Sequence, residues 1–250
     1  MSAGTGAGGA LAGRVALVVG AASGIGAAIA EAYAAEGAAV VAADRDGEAL
    51  VRSAEGVAST VTLDVADEAS VTTAVGRVLA EHGRIDVLVN SAGVLDESPL
   101  AEMSLAQWRR TVDVDLTGVF LTCRAVLPSM LAAGGGRIIS IASQLGIKGG
   151  VGLTHYSAAK AGVIGLTKAL AREVAPAGVL VNAIAPGPVE TPMVAGISED
   201  WKRAKRAELP LGRFGTPAEI APTAVLLASD PGGNLYVGQV LGPNSGDVMP

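Results

Sequence analysis

The sequence contains a single cysteine, Cys123, so no disulfide can form within the chain. A lone thiol is typical of proteins from reducing compartments, and we therefore expect a cytoplasmic protein. Cys123 lies in an apolar stretch with helical character, which favours a buried structural thiol over a nucleophile. Aromatic residues are also scarce, at 3% of 250 residues, so the core must be built from aliphatic side chains.

Positive charge is in short supply as well. The net charge is −6 and the isoelectric point is about 5.0. Nucleic-acid-binding proteins usually carry a basic stripe, so we expect no nucleic-acid partner. The densest basic cluster is a short one that follows Trp201 and comprises Lys202, Arg203, Lys205 and Arg206. It favours a solvated helix face, and contact with a substrate anion is the alternative.

Long hydrophobic runs and metal-binding patterns are missing too. The most apolar stretch, residues 15–30, is interrupted by Gly and Ser and is too short to span a membrane. The two histidines and the cysteine lack ligand spacing, so we expect no metal site. Residues 1–12 lack the charged start of a signal peptide and are predicted to form a flexible tail.

Short apolar runs alternate with longer helical patterns along the rest of the chain. Strands apolar on both faces and separated by helices indicate a parallel sheet covered on both sides. We therefore predict an α/β fold, with residues 13–250 forming one Rossmann-type doubly wound domain. The predicted strands are 15–20, 39–44, 59–63, 87–90, 137–142, 179–185 and 239–241, and the predicted helices are 25–36, 68–82, 108–133, 156–175 and 217–228.

Two segments are irregular. Residues 186–211 contain four prolines and have no clear periodicity before their charged middle, which is typical of a substrate-binding loop or lid. Residues 242–246 read Gly-Pro-Asn-Ser-Gly and cannot form regular helix or strand. We expect this second segment to pack as a turn against another element or another subunit.

A glycine-rich turn joins the first strand to the first helix. Gly20 permits a tight turn, Gly24 lets a pyrophosphate approach, and Gly26 allows the helix to pack closely on the strand. The helix N-terminus offers free N–H groups to phosphates. The candidate cofactor-binding residues here are Gly20, Ser23, Gly24, Ile25 and Gly26.

Asp44, at the end of the second strand, predicts the type of dinucleotide. An acidic residue at this place accepts hydrogen bonds from the adenosine ribose. A 2′-phosphate would be repelled by about 4 kcal/mol per charge pair at ~4 Å and an effective dielectric of ~20, so we expect NAD rather than NADP. The neighbouring Arg45 could instead pair with a 2′-phosphate. Further candidates follow the third and fourth strands, namely Asp64 and Val65, then Asn90, Ala92 and Gly93.

Three polar residues suggest acid–base chemistry. Tyr156 and Lys160 are four residues apart at the start of a predicted helix, so they share one face. An ammonium near the phenol favours the phenolate. Ser143 follows the fifth strand at the same ligand-facing edge, where its hydroxyl could hold a substrate oxygen.

With these motifs the chain resembles the short-chain dehydrogenase/reductase (SDR) family from about Gly13 to Met249. The family's glycine turn, its Tyr-x-x-x-Lys pair and the serine thirteen residues before the tyrosine all match. The resemblance implies that Tyr156 exchanges a proton with the substrate oxygen, that Lys160 lowers the pKa of this tyrosine and holds the nicotinamide ribose, and that Ser143 orients the substrate. The matching segment after the sixth strand adds cofactor-binding candidates Pro186, Gly187, Val189 and Thr191.

The chain departs from the family pattern at several positions. Val19 replaces a threonine before the first glycine, and Ser91 replaces an asparagine. The family's catalytic asparagine corresponds to Asp115, which serves if the site acts through a backbone carbonyl and a water chain. If the amide itself matters, the extra charge would hold Lys160 protonated and raise the pKa of Tyr156. The 242–246 segment also differs from the family's sequence.

We therefore expect an enzyme that transfers a hydride between NAD(H) and a secondary alcohol or ketone. The alternatives are an NADP-dependent 3-oxoacyl thioester reductase and a non-catalytic dinucleotide-binding sensor or scaffold.

Small apolar residues on helices 108–133 and 156–175 suit subunit contacts, and the resemblance implies a homo-oligomer, with a tetramer favoured. His155 is predicted to lie at a surface or interface, with a substrate contact as the alternative. Substrate-pocket candidates, by position, are Ser143, Gln144, Leu145, Leu95 and Met193.

Overall fold

The computed structural model describes residues 8–195 and 198–249. Within these ranges, parallel strands form one sheet in the order β3-β2-β1-β4-β5-β6-β7. The order reverses between β1 and β4, which is where open α/β sheets form a ligand crevice. The strands are β1 (Val15–Val19), β2 (Ala39–Asp44), β3 (Ser59–Thr62), β4 (Val87–Asn90), β5 (Gly136–Ile141), β6 (Val179–Ile184) and β7 (Val240–Leu241).

Helices cover both faces of the sheet. They are α1 (Gly24–Ala35), α2 (Gly47–Ser53), α3 (Glu68–His82), α4 (Leu105–Val112), α5 (Gly118–Ala133), α6 (Leu145–Lys148), α7 (Thr154–Val174), α8 (Pro192–Ala195), α9 (Glu199–Glu208) and α10 (Pro217–Ala228). A π-helical turn, Asp113–Thr117, joins α4 to α5, and a 3₁₀ turn, Ala175–Ala177, follows α7.

The strands alternate their side chains between two cores. Leu17 and Val19 of β1 pack with α3, α5 and α7 on one face. Ala16 and Val18 pack with α1, α2 and α10 on the other face. Because both faces are buried, the strands read as continuous apolar runs. The predicted doubly wound parallel fold is confirmed.

The helix predicted over 108–133 differs from the structure in two ways. It begins earlier, at Leu105, because Ser104 and Gln107 form a capping box. The π-helical turn, Asp113–Thr117, then interrupts it. The whole stretch Leu105–Ala133 is long and apolar enough to cross a membrane by length and composition alone. However, it supplies Val126 and Met130 to the core next to the sheet.

The packed part of the chain begins before the predicted boundary at residue 13. Leu11 is 1% exposed and packs against α1 and its neighbours. Its N–H donates to the carbonyl of Glu36 at 3.0 Å. The predicted tail therefore does not extend to residue 12, while residues 1–7 lie outside the described residues.

The segment predicted as a loop, 186–211, contains two helices, α8 and α9. Ser198 starts α9, and its hydroxyl accepts the N–H of Trp201 at 3.3 Å. The charged middle of the segment is therefore helical, whereas residues 196–197 lie outside the described residues. On α9, Arg203 is exposed as predicted for a solvated face, but Lys205 turns inward and lines a cleft.

Candidate active site

A cleft of about 630 Å³ opens at the carboxyl end of the sheet, at the point where the strand order reverses. It is lined by the ends of β1, β2 and β4 on one side and by β5, α7 and the 186–211 segment on the other. Nearly all of the residues predicted to bind cofactor or substrate line this one cleft. They are Gly20, Ser23, Gly24, Ile25, Asp44, Arg45, Asp64, Val65, Leu95, Ala92, Gly93, Gln144, Leu145, Pro186, Gly187, Val189, Thr191 and Met193.

The glycine turn has a shape that only glycine allows. Gly20 has a φ of +84°, and an added Cβ would lie 2.4 Å from the amide nitrogen of Ala92. Ser23 begins α1 without a side-chain hydrogen bond to the first turn. The first N–H groups of α1 are therefore left to be satisfied by an anion in the cleft. This arrangement fits the pyrophosphate of a dinucleotide.

Two predicted cofactor-binding residues do not line the cleft. Gly26 lies beneath the turn, where an added Cβ would be 2.1 Å from the Gly20 carbonyl oxygen. It serves the close packing expected of the third glycine. The Asn90 side chain points into the core, where it donates to Ser140 Oγ at 3.2 Å and accepts from Thr122 Oγ1 at 2.7 Å. Alternation along β4 turns this side chain inward, so only the backbone of Asn90 is left for the predicted cofactor contact.

The carboxylate of Asp44 faces the adenosine end of the cleft. Its Oδ2 accepts the N–H of Ala22 at 3.2 Å, and its Oδ1 accepts the N–H of Asp46 at 3.1 Å. These bonds fix the carboxylate beside the glycine turn. Arg45 is exposed and also lines the cleft, so both charges weighed for cofactor preference face the same cleft.

Ser143, Tyr156 and Lys160 meet at the opposite end of the cleft. Ser143 follows β5 and is 8% exposed, and its Oγ accepts the N–H of Leu145 at 3.1 Å. The Lys160 ammonium lies 5.5 Å from the centre of the Tyr156 ring and donates to the Ile141 carbonyl at 3.0 Å. A phenol, an ammonium and a hydroxyl thus face one space, as acid–base chemistry on a substrate oxygen requires.

Asp115 joins this group from the π-helical turn. Its Oδ1 accepts the N–H of Val94 at 2.9 Å, and its Oδ2 lies 3.2 Å from Lys160 Nζ. The side chain is fully buried. Gly93 makes room for it, because an added Cβ there would lie 2.9 Å from Asp115 Oδ2. The carboxylate thus contacts Lys160 directly, and whether Asp115 fully replaces the family's asparagine stays a prediction.

Burial and charge move the pKa values of these groups in opposing directions. Burial raises the pKa of Tyr156 above its ordinary value; the Lys160 ammonium opposes this, Asp115 adds to it, and the Ser143 hydroxyl opposes it. Burial alone would lower the pKa of Lys160, but Asp115 and Tyr156 raise it above its ordinary value. Lys160 therefore favours its charged form, and this charge opposes the effect of burial on the pKa of Tyr156.

His155, next to the tyrosine, is not at a surface. It is 0% exposed within the chain, and its Nε2 lies 3.3 Å from Asp96 Oδ1. The predicted surface or interface position is wrong, because His155 is enclosed within the chain, where α7 packs on α4 and the π-helical turn. Cys123 is buried as predicted, and burial raises the pKa of its thiol to about 12. A thiol that stays protonated at neutral pH is a poor nucleophile.

The C-terminal segment packs against the cleft as a turn. Gly187 donates to the Pro243 carbonyl at 3.1 Å, and an added Cβ on Gly187 would lie 2.7 Å from Asn244 Cα. Leu211 donates to the Ser245 carbonyl at 3.2 Å. The prediction that residues 242–246 pack against another element is confirmed, and that element is the segment bordering the cofactor cleft.

Several residues that line the cleft were missed by the sequence reasoning. Lys148 follows Ser143 by one helical turn, which was a usable signal. Val151, Leu153 and Phe214 lie in irregular segments that carry no pattern, and Lys205 was assigned to a solvated face. In the described ranges, no cluster of three or more His, Cys, Asp or Glu residues is arranged to hold a metal ion.

The chain is similar to a family model, to characterised relatives and to a solved structure. The family model described as enoyl-(acyl carrier protein) reductase matches residues 20–246. The 3-oxoacyl-[acyl-carrier-protein] reductase FabG of Thermotoga maritima is 42% identical over 245 residues, covering 96% of this chain and 99% of that protein. The cis-4-hydroxycyclohexanecarboxylate dehydrogenase of Sinomonas cyclohexanicum is 44% identical over 239 residues, covering 93% and 96%. The crystal structure of gox2181 has a TM-score of 0.91 and 36% identity, covering 95% of this chain and 96% of that one.

Proposed function

Because the chain belongs to the short-chain dehydrogenase/reductase family, we propose that it moves a hydride between a nicotinamide dinucleotide and the carbon of a secondary alcohol or ketone. The observation that carries the proposal is the convergence of Ser143, Tyr156 and Lys160 on one side of a cleft whose other side is a phosphate-binding turn.

Residues of this chain hold the two ends of the cofactor. The glycine turn and the N-terminus of α1 bind the pyrophosphate, and Asp44 binds the adenosine ribose. Lys160 binds the nicotinamide ribose, and Val189 and Thr191 contact the carboxamide. When bound, the dinucleotide supplies a hydride donor or acceptor beside Tyr156.

The chain's own residues handle the substrate oxygen and its proton. Ser143 donates a hydrogen bond to the oxygen and fixes its distance from the Tyr156 hydroxyl. In the reducing direction Tyr156 gives its proton to this oxygen, and in the oxidising direction it takes the proton back. Lys160, held by Asp115 and the Ile141 carbonyl, keeps a positive charge 5.5 Å from the phenol ring and so stabilises the phenolate.

A second candidate substrate is a 3-oxoacyl thioester, which is also a ketone. The relatives from Thermotoga maritima, Aquifex aeolicus and Escherichia coli, at 40–42% identity, are all named 3-oxoacyl-[acyl-carrier-protein] reductases. These names favour the thioester over the simple ketone expected from the residues alone. The relative from Sinomonas cyclohexanicum favours a carbocyclic hydroxy acid. All of these substrates use the same proton transfer at Tyr156.

We assign NAD as the preferred cofactor on the strength of Asp44 alone. Its carboxylate is fixed by the Ala22 and Asp46 amides and faces the cleft. A 2′-phosphate brought beside it would meet like charge, although Arg45 offers a neighbouring cation.

We further propose a cytoplasmic homotetramer, supported by the single buried thiol and by the apolar residues that α5 exposes, Phe120 and Leu131.

The experiment that tests the proposal is a steady-state assay of NADH and NADPH oxidation. The panel contains a simple ketone, 4-oxocyclohexanecarboxylate and an acetoacetyl thioester. Turnover of at least one ketone supports the proposal. The ketone with the highest kcat/KM shows whether the enzyme prefers a simple ketone or a 3-oxoacyl thioester. Tight NADH binding without any turnover would favour the non-catalytic alternative.

A further inference from the structure

Two lysines face the substrate side of the cleft from different elements. Lys148 ends α6, Lys205 belongs to α9, and both line the cleft. Their ammonium groups share one partner, Asp247. Lys148 Nζ lies 2.7 Å and Lys205 Nζ 3.0 Å from Asp247 Oδ2. Asp247 is 8% exposed and does not line the cleft, so the two lysines line the cleft while their shared carboxylate lies behind its wall.

The charges of this group do not cancel on the cleft side. The two ammonium groups share one buried carboxylate, Asp247, and Lys205 also contacts Glu208, at 3.0 Å. Glu208 lines the cleft too, but its side chain is 65% exposed, so solvent screens its charge more strongly than that of Asp247. Burial alone would raise the pKa of Asp247, yet hydrogen bonds from the two lysines hold it below its ordinary value. The aspartate therefore stays ionised and keeps both lysines in place.

The lysine pair is built into the site. Asp247 also accepts a hydrogen bond from Gln144, the residue after Ser143. An ammonium has three N–H donors. Lys148 gives one to Asp247, and Lys205 gives one to Asp247 and one to Glu208, so two donors of Lys148 and one of Lys205 remain for a ligand. Lys205 is only 14% exposed, which places its charge where solvent screening is weak.

The position of the pair relative to the reacting centre sets the size of the ligand. Lys148 is five residues from Ser143 and ends the four-residue helix α6, Leu145–Lys148, which rises ~1.5 Å per residue. The helix between them packs on α7, because an added Cβ on Gly146 would lie 2.7 Å from the carbonyl carbon of Lys160. The walls in this region are largely apolar and include Leu145, Val151, Met193 and Trp201. A small molecule can therefore reach from Ser143 to the lysines across an apolar surface.

We infer that Lys148 and Lys205, held by Asp247, form a carboxylate-binding subsite, and that the substrate is an oxo acid or hydroxy acid with its carboxylate a few carbon atoms from the reacting carbon. This inference rests on the hydride transfer proposed above. Two ammonium groups that share a buried carboxylate match a carboxylate ligand better than a doubly charged phosphate. A phosphate on a pantetheine thioester would also lie at the far end of a long arm.

The test compares 4-oxocyclohexanecarboxylate with its neutral methyl ester, and 4-oxopentanoate with its methyl ester. We expect the acids to be reduced with a kcat/KM about tenfold higher than their esters, with the difference mainly in KM. Lys148→Met and Lys205→Met remove the charge and keep an apolar stem of similar length. Each is expected to lower kcat/KM about tenfold for the acids and less than about twofold for the esters.

Arg203→Met is the matched control, because Arg203 lies on the same helix as Lys205 and its side chain is 77% exposed. It should leave both substrates unchanged, and thermal melting of all variants checks that they fold. Equal kcat/KM for acid and ester in the unmutated enzyme would overturn the subsite. So would lysine variants that slow both substrates equally, or turnover of an acetoacetyl thioester with none of the oxo acids. Absence of turnover with every ketone instead overturns the proposed function itself.

Discussion

The Lys160 ammonium and the Asp115 carboxylate form a buried ion pair, with Nζ 3.2 Å from Oδ2. The same ammonium lies 5.5 Å from the centre of the Tyr156 ring. One cation thus faces both the Asp115 carboxylate and the phenolate that forms during the reaction. Burial raises the pKa of Asp115, and the Lys160 ammonium opposes this. Asp115 holds Lys160 protonated but also disfavours the phenolate, since like charges repel.

Replacing Asp115 with Asn is expected to lower the pKa of Tyr156. The carboxylate raises this pKa, so its loss lowers it as long as Lys160 keeps its charge. Burial lowers the pKa of Lys160, but this pKa starts far above neutral, and the Ile141 carbonyl still accepts a hydrogen bond from the ammonium. Alcohol oxidation needs the phenolate and is lost as pH falls through the pKa. The acidic limb of the kcat/KM profile for oxidation should therefore move about one pH unit lower in Asp115→Asn.

The control for this variant is Asp113→Asn, an exposed carboxylate on the same π-helical turn. Its profile should match that of the unmutated enzyme. A profile of Asp115→Asn that stays in place or moves to higher pH would show that the carboxylate does not act on Tyr156 as described.

Asp44→Asn is expected to relax the cofactor preference. The amide oxygen can still accept the N–H of Ala22, so the turn keeps its support, but the repulsion of a 2′-phosphate is lost. A charge pair at ~4 Å is worth about 4 kcal/mol at an effective dielectric of ~20, and partial exposure of Asp44 reduces this. We expect the ratio of kcat/KM with NADPH to kcat/KM with NADH to rise about tenfold.

Asp46→Asn is the matched control for Asp44, because it starts α2 and asparagine caps a helix as well as aspartate does. It should leave the cofactor ratio unchanged. If the unmutated enzyme already prefers NADPH, Arg45 rather than Asp44 governs the preference, and the assignment of NAD is wrong.

The exposed apolar residues of α5 predict a subunit interface. Phe120 is 45% and Leu131 41% exposed on this helix. Light scattering coupled to size exclusion is expected to give a mass near four times 24.7 kDa, and Phe120→Glu is expected to lower it, since an unpaired charge opposes burial. A mass of one chain for the unmutated protein would contradict the predicted oligomer.

The sequence predicts the fold well because its signals are local. β-branched runs mark the strands, and Gly20, Gly24 and Gly26 mark the first turn by their spacing. The π-helical turn, Asp113–Thr117, has no such signal, since its backbone differs from that of its neighbours by one hydrogen-bond register. The inward position of the Asn90 side chain could not be predicted either, because only the strand's register decides which face a side chain takes.

The site was predictable where the family motif matches and not where distant segments meet. Ser143, Tyr156 and Lys160 stand at fixed spacings in the sequence. Asp247, by contrast, contacts Lys148 from the C-terminal end of the chain, and no sequence pattern near either residue predicts this ion pair. The effect of Asp115 on the pKa values of Lys160 and Tyr156 likewise depends on its distance from Lys160, which the sequence does not predict.

The most direct test of the account uses a ketone that the unmutated enzyme reduces. With this ketone, the rate of NADH oxidation is compared between the unmutated enzyme and Tyr156→Phe. The variant removes one hydroxyl, so it should bind NADH with unchanged affinity by fluorescence titration while losing at least about 100-fold in kcat, because the proton donor is gone. A Tyr156→Phe enzyme that binds NADH normally and keeps most of its kcat would contradict the assignment of Tyr156 as the proton donor.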